Sequence, residues 1–355
     1  MAVLASVYHG PPELTLPRAF TEWTADPAMI ALVVVLGAAY LAGARRVSAR
    51  GGEWKTGRTV AFCGLGLGFL VIATMSWVGV YQNVLFYARA TQTVLLVLLT
   101  PLFLAMGKPL TLLTENFPAA GETVVKVVRS RVAKVVTFPA ITSLLLIAIP
   151  MGMYFTSWYT ATFHSATVRE LTYLALMAPG YLFFWTLLRV DPVPKEYPYG
   201  VGMWITAAEV VGDAFFGLAI IADTNLIAGA YYHSVGWPYG PSLATKQVLG
   251  GGIIWILGDA VGLPFLAVQL IQMMRADKAE AAIVDAELDA KDAARAARKR
   301  VRQAERAARA AWRTGEGYAI APADGAPADG VPADEDDERP WWENDPRFTE
   351  RFRKT

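Results

Sequence analysis

The sequence predicts an all-α membrane protein: a seven-transmembrane helix bundle, followed by a cytosolic charged helix and a disordered C-terminal tail. Three observations predict it. Of the 355 residues, 54% are hydrophobic and only 18% are charged, and the apolar runs lie almost wholly before residue 274. Seven of those runs are about 18 to 25 residues long, enough for a helix to cross the ~30 Å hydrocarbon core. Lys and Arg gather in alternate connections, as they do on the cytoplasmic side of a membrane. The chain accordingly divides into an extracytoplasmic segment (1–27), the bundle (28–274), a charged cytosolic helix (275–314) and a tail (315–355) with a terminal aromatic peptide.

The spans are read at 28–44, 58–80, 86–106, 136–158, 168–188, 199–222 and 248–273. Basic residues follow the first (Arg45, Arg46, Arg50, Lys55, Arg58), the third (Lys108, Lys126, Arg129, Arg131, Lys134), the fifth (Arg189, Lys195) and the seventh (Arg275, Lys278). The connections "VYQNVLFY", "SWYTATFHSAT" and "ADTNLIAGAYYHSVGWPYGPSLATK" are nearly free of them. Seven spans with the N-terminus outside and the C-terminus cytoplasmic satisfy every connection, so a multi-pass protein of the plasma membrane is expected. The start "MAVLASVYHGPPELTLPRAF" has no basic n-region and no apolar core, so no cleaved signal peptide is expected.

The outer connections carry Tyr154, Trp158, Tyr159, Tyr231, Tyr232, Trp237 and Tyr239, expected as an interfacial aromatic belt. His9, His164 and His233 fall on the same side. Residues 118–135, "PAAGETVVKVVRSRVAKV", alternate apolar and basic positions. They read as an amphipathic helix at the inner leaflet or as a solvated loop that supplies positive charge. Residues 275–314 are Ala-, Glu-, Lys- and Arg-rich and helix-forming by propensity. Residues 315–339 are a Pro/Ala/Gly/Asp linker expected to be disordered. The end "PWWENDPRFTERFRKT" reads equally as a docking peptide or as a solvated terminus.

Ionisable residues inside spans point to function, because a charge in lipid is costly. Here they are Arg89, Arg169, Glu170, Glu209, Asp213 and Asp259. Arg89 with Thr93, Arg169 with Tyr173, and Glu209 with Asp213 each stand at i, i+4 and share a helix face, with Gln92 beside the first pair. An intramembrane polar network is expected, in which Arg89 and Arg169 pair with Asp213 and Glu209. The alternative is that the arginines snorkel to the outer headgroups.

Other features carry less. Gly64 with Gly68 and Gly258 with Gly262 are small-xxx-small pairs, expected to pack helices. Pro101, Pro150, Pro179 and Pro264 are expected to kink spans. "LGGGIIWILGD" (249–259) lacks the strand and the Gly-Lys-Ser/Thr of a phosphate loop. The single cysteine, Cys63, excludes an intrachain disulfide. A net charge of +1 gives no field for nucleic acid. No nucleophile–base pair lies within a span, so no enzyme is expected. Soft or imidazole ligands for copper are limited to Met151, Met153, His164 and His233, and methionines in spans are ordinarily packing.

The motifs "LFYARATQTVLLVLLTPLFLAMGKPLTLL" (85–113), "GYLFFWTLLRVDPVP" (180–194), "DAFFGLAI" (213–220), "LGGGIIWILGD" (249–259) and "RPWWENDPRFTERFR" (339–353) stand in an order that resembles the CtaG family of cytochrome c oxidase assembly factors. The resemblance implies a role in copper insertion, with oxidase subunits or other assembly factors and membrane lipid as partners. It also implies a His-x-x-x-His pair where this chain has Arg89 and Thr93, and a second where it has Arg169 and Tyr173. Further family histidines fall at Asp213 and Ala148. None of these positions is histidine here, so no tightly bound cofactor is expected and copper follows from the resemblance only. The expected role is an assembly scaffold or partner. The alternative is a transporter of ions or a small solute with an Arg/Asp interior, a class that commonly shows repeated halves.

Topology is the first thing to measure. In a Cys63→Ala background, Ser157→Cys should label from outside and Ser130→Cys from the cytoplasm. The reverse pattern would invert the bundle.

Overall fold

A helix satisfies its backbone polar groups within its own segment, which is why long apolar runs fold as helices in lipid. A computed structural model describes residue 8 and residues 10–117, 126, 130–195 and 197–314, and every regular element among the described residues is helical. The main helices are α1 (Pro27–Ala49), α2 (Thr56–Tyr81), α3 (Phe86–Asn116), α4 (Pro139–Tyr154), α5 (Ser157–His164), α6 (Ala166–Leu188), α7 (Tyr199–Ala222), α8 (Gly229–Val235) and α9 (Leu243–Thr314). Six of them are long and apolar enough to cross a membrane, or seven if the bent pair α4 and α5 is counted as one span. The protein is thus an all-α membrane bundle.

Local chemistry sets the breaks. Asp26 caps α1 by accepting from Met29 N at 3.2 Å, and Pro27 suits the first turn because its missing N–H would have no partner there. Within α2, Ser76 turns extended and its hydroxyl accepts from Val78 N. The fourth span was expected to be continuous over 136–158. Instead α4 and α5 meet at 69°. Thr156 makes the corner: its hydroxyl donates to Gly152 O at 2.7 Å and accepts from Trp158 N at 3.2 Å, so it closes one helix and caps the next. Pro150, Pro179 and Pro264 lie inside helices that continue through them.

α3 and α6 are the most buried spans, and α1 is the least. Their contact follows from a proline. In a regular helix residue 101 would donate to Val97 O, but Pro101 has no N–H. Gly180 of α6 packs onto that carbonyl so closely that a Cβ there would lie 2.0 Å from it. Leu96, Met153, Tyr173, Phe183 and Phe184 fill the core around this crossing. Of the expected small-residue pairs, Gly258 and Gly262 face α7, whereas Gly68 has nothing within 4 Å and Gly64 meets only Val60 of its own helix. In α2 the close packing falls to Gly66 against Leu104.

The described residues divide into two units, one up to residue 281 and one from residue 282. The seventh span and the charged helix, expected as separate elements, are one helix of 72 residues. No proline or glycine occurs between Pro264 and Thr314 to end it. In the second unit the described side chains are exposed, with an Arg295–Asp292 ion pair at 4.0 Å. Of the expected amphipathic stretch, the short helix Arg131–Val136 is described, with Val132 and Val135 exposed. Most of 118–129, the linker 315–339, the terminal peptide and His9 lie outside the described residues.

Gly180→Ala should lower thermal stability in detergent by about 1–3 kcal/mol, because the new methyl meets backbone that has no room to give. Gly68→Ala should be neutral. Equal effects of the two would show that the α3–α6 crossing is not the tight one.

Candidate functional site

Arg89 stands in the first turns of α3, where the helix dipole already disfavours a cation. It is 1% exposed. Its guanidinium cannot lose its charge, so it must be hydrogen-bonded where it lies. Nη1 donates to Gln82 Oε1 and to Gln92 Oε1, both at 2.8 Å, and Nη2 donates to Thr162 Oγ1 at 3.0 Å. Its carbon lies 5.9 Å from the Tyr159 ring centroid. Nε is buried with no hydrogen-bond partner among the described residues.

Each acceptor is itself held. Gln82, in the turn after α2, donates to Gly79 O at 2.9 Å, and its Oε1 also accepts from Tyr173 OH at 2.7 Å. Gln92 Nε2 donates to Ala73 O at 2.8 Å and to Tyr173 OH at 3.4 Å. Thr162 donates to Tyr159 O at 2.7 Å. Thr93 donates to Arg89 O at 3.0 Å, and its hydroxyl lies 3.1 Å from Tyr154 OH. Tyr154 stacks on Tyr159 at 4.9 Å, and Tyr159 OH lies 2.8 Å from Tyr232 OH. Burial pushes the Tyr232 hydroxyl above its ordinary pKa, so it remains a proton donor at neutral pH.

These contacts gather Arg89, Gln92, Thr93 and Tyr173 in one place. The expected ion pairs are a different matter: among the described residues none joins Arg89 or Arg169 to Glu209 or Asp213. Arg89 directs its bonds to α2, α5 and its own helix, whereas Asp213 packs against Gly258 of α9. Nor does Arg89 snorkel. Arg169 is half-buried with an unpartnered Nε and lines a cleft of about 480 Å³ with Glu22, Asp26, Asn83 and Glu170. Glu209 and Asp213 are buried one turn apart on α7, and Asp259 lies on α9.

The sequence reading missed Gln82 and Thr162, and it placed Tyr154, Tyr159 and Tyr232 in an interfacial belt. All three tyrosines are 5% exposed or less. The bend at Thr156 turns α5 into the bundle, and no local pattern announces where a bent span will point. Gln82 did carry a signal, as a polar residue seven positions before a buried arginine.

Copper, which the family resemblance implies, meets unsuitable donors here. At the positions given to histidines, Arg89 and Arg169 offer only N–H donors, Ala148 offers no ligand, and Thr93 and Tyr173 have their hydroxyls bonded within the cluster. Asp213 supplies one hard oxygen ligand. Met153 is fully buried while Met151 is 36% exposed, so the two do not converge. His164 and His233 are exposed on α5 and α8. Among the described residues no three His, Cys, Asp or Glu side chains group to hold a metal.

The family model described as "cytochrome c oxidase caa3 assembly factor" matches residues 38–276. The chain belongs to that family. The match covers the bundle from α1 into α9 and includes every residue of the Arg89 cluster. Uncharacterized proteins of Mycobacterium bovis and Mycobacterium tuberculosis are each 29% identical over 290 residues, 79% of this chain and 44% of theirs. One from Mycobacterium leprae is 30% identical over 269 residues, 74% of this chain and 40% of its own. The chain therefore spans less than half the length of the curated relatives it matches. No solved structure matches it.

Without a direct ion pair, Arg89→Leu and Asp213→Leu should act independently. Each should destabilise, and their effects on unfolding in detergent should add within about 0.5 kcal/mol. A coupling above about 1 kcal/mol would require the two side chains to interact.

Proposed function

We propose that the chain is an integral membrane factor that helps assemble a haem–copper cytochrome c oxidase, as a scaffold or partner and not as a carrier of copper. Family membership supports the oxidase half of this reading. One observation carries the scaffold half. Where the resemblance puts metal-binding histidines, a buried guanidinium ties α3 to α5 and to the turn after α2, with Tyr173 of α6 completing the shell. A metal joins helices by drawing ligands from each, and Arg89 does so by hydrogen bonds to neutral acceptors.

The Lys/Arg asymmetry supports a plasma-membrane placement with the N-terminus outside and the C-terminus cytoplasmic. The Arg89 cluster then lies in the outer half of the bundle. Oxidase subunits or other assembly factors are the partners, and the bundle acts on them by binding and not by catalysis. Apolar side chains such as Trp204, Phe215 and Ile256 are exposed along α7 and α9 and face lipid or such a partner.

Deleting the gene should lower the haem signal of assembled oxidase in difference spectra of host membranes, and His164→Ala/His233→Ala chains should restore it. The purified protein should lose Cu(I) to a competing chelator. Unchanged oxidase levels would remove the assembly role. Stoichiometric copper, lost on substitution of Met151/Met153 or His164/His233, would restore copper delivery.

A further inference from the structure

Glu209 and Asp213 stand at i, i+4 on α7, and they are 2% and 9% exposed. Helix α9 is shaped around them. A Cβ at Gly258 would sit 2.7 Å from Asp213 Oδ2, and one at Gly262 would come within 3.9 Å of Glu209 Oε2. A larger residue at 258 would displace the Asp213 carboxyl group, so the glycine surface leaves room for the acids. The two side chains stand one turn apart on one face of α7. Among the described residues no Lys or Arg lies within ion-pair distance of either acid, and a third acid, Asp259, follows Gly258 on α9. Arg89, the cation of the polar cluster, directs its bonds to Gln82, Gln92 and Thr162.

Ionised carboxylates only accept hydrogen bonds, so two of them cannot bond each other without a proton. Two adjacent charges in the bundle without a cation would also cost several kcal/mol, on the order of a buried unpaired ion each. Among the described residues Glu209 Oε1 is buried with no hydrogen-bond partner, an acceptor that a proton on either acid could satisfy. On the Asp213 side a cavity of about 20 Å³, room for one water molecule, separates Asp213 from Thr93, walled by Leu146, Pro150 and Phe216. Thr93 leads on to Tyr154. On the Glu209 side, Thr206 lies one turn along the same helix face and accepts from Gln269 Nε2 at 2.8 Å.

We propose that Glu209 and Asp213 form a proton-binding site in the middle of the bundle, holding one proton between them and exchanging it through the cavity beside Thr93. This is separate from the assembly role and does not depend on it. The proton arrives as hydronium by way of the cavity and leaves the same way, so one O–H bond forms on the acid as one breaks on hydronium and no other group changes.

The test is infrared difference spectroscopy on the full chain in lipid. At neutral pH the wild type should show the carbonyl stretch of a protonated carboxylic acid, shifting on transfer to heavy water. The band should persist in Asp259→Asn and vanish in Glu209→Gln/Asp213→Asn. The amides are near-isosteric and can donate, so that variant should retain its fold, and the wild-type band stands as a readout even if it does not. Absence of the band, its survival in the double variant, or failure to shift in heavy water would each overturn the proposal. Loss of the band on adding sodium or potassium would replace the proton site with a cation site.

Discussion

A guanidinium that cannot be neutralised and cannot reach water sets the order of this bundle. Arg89 needs acceptors, and its own helix supplies one of the three, Gln92. The remaining acceptors come from the turn after α2 and from α5, and Tyr173 of α6 supports both glutamines. Hydrogen bonds to a charged group contribute roughly 1.5–3 kcal/mol each, so three of them offset much of the cost of burying the ion. The same bonds specify how the helices sit, because a lateral shift of about one residue rise would break them. The bend at Thr156 belongs to this requirement: it turns Tyr159 and Thr162 of α5 toward the cation.

The polar groups inside the bundle fall into two layers with different chemistry. One is the arginine layer, a cation among neutral amides and hydroxyls. The other is the acid layer on α7, cradled by glycines of α9. A single Arg–Asp bridge would have merged them, yet apolar residues such as Leu146 and Phe216 and a water-sized cavity stand between Thr93 and Asp213. Each layer must therefore solve its own desolvation problem, the first with acceptors and the second with a proton.

Membership of the oxidase assembly family gives these layers a setting. The resemblance places histidines at Arg89, Thr93, Arg169, Tyr173 and Asp213, and the geometry divides those positions. Arg89, Thr93 and Tyr173 remain in one hydrogen-bonded cluster, while Arg169 looks into the outer cleft and Asp213 joins the acids.

Much of this was legible in the residues. Spans announce themselves by length and apolarity, because lipid tolerates no unsatisfied backbone. A charged residue such as Arg89 within a span announces a polar interior for the same energetic reason, and i, i+4 spacing shows which neighbours share its face. Tertiary structure alone decided which partner each charge has. Arg89 and Asp213 are complementary in charge and lie in spans that could have met, but a hydrogen bond requires atoms within about 3 Å. That distance depends on the bend at Thr156, on the seating of Gly180 against the Val97 carbonyl, and on the room left at Gly258. These are contacts between residues far apart in the chain, and periodicity carries no record of them.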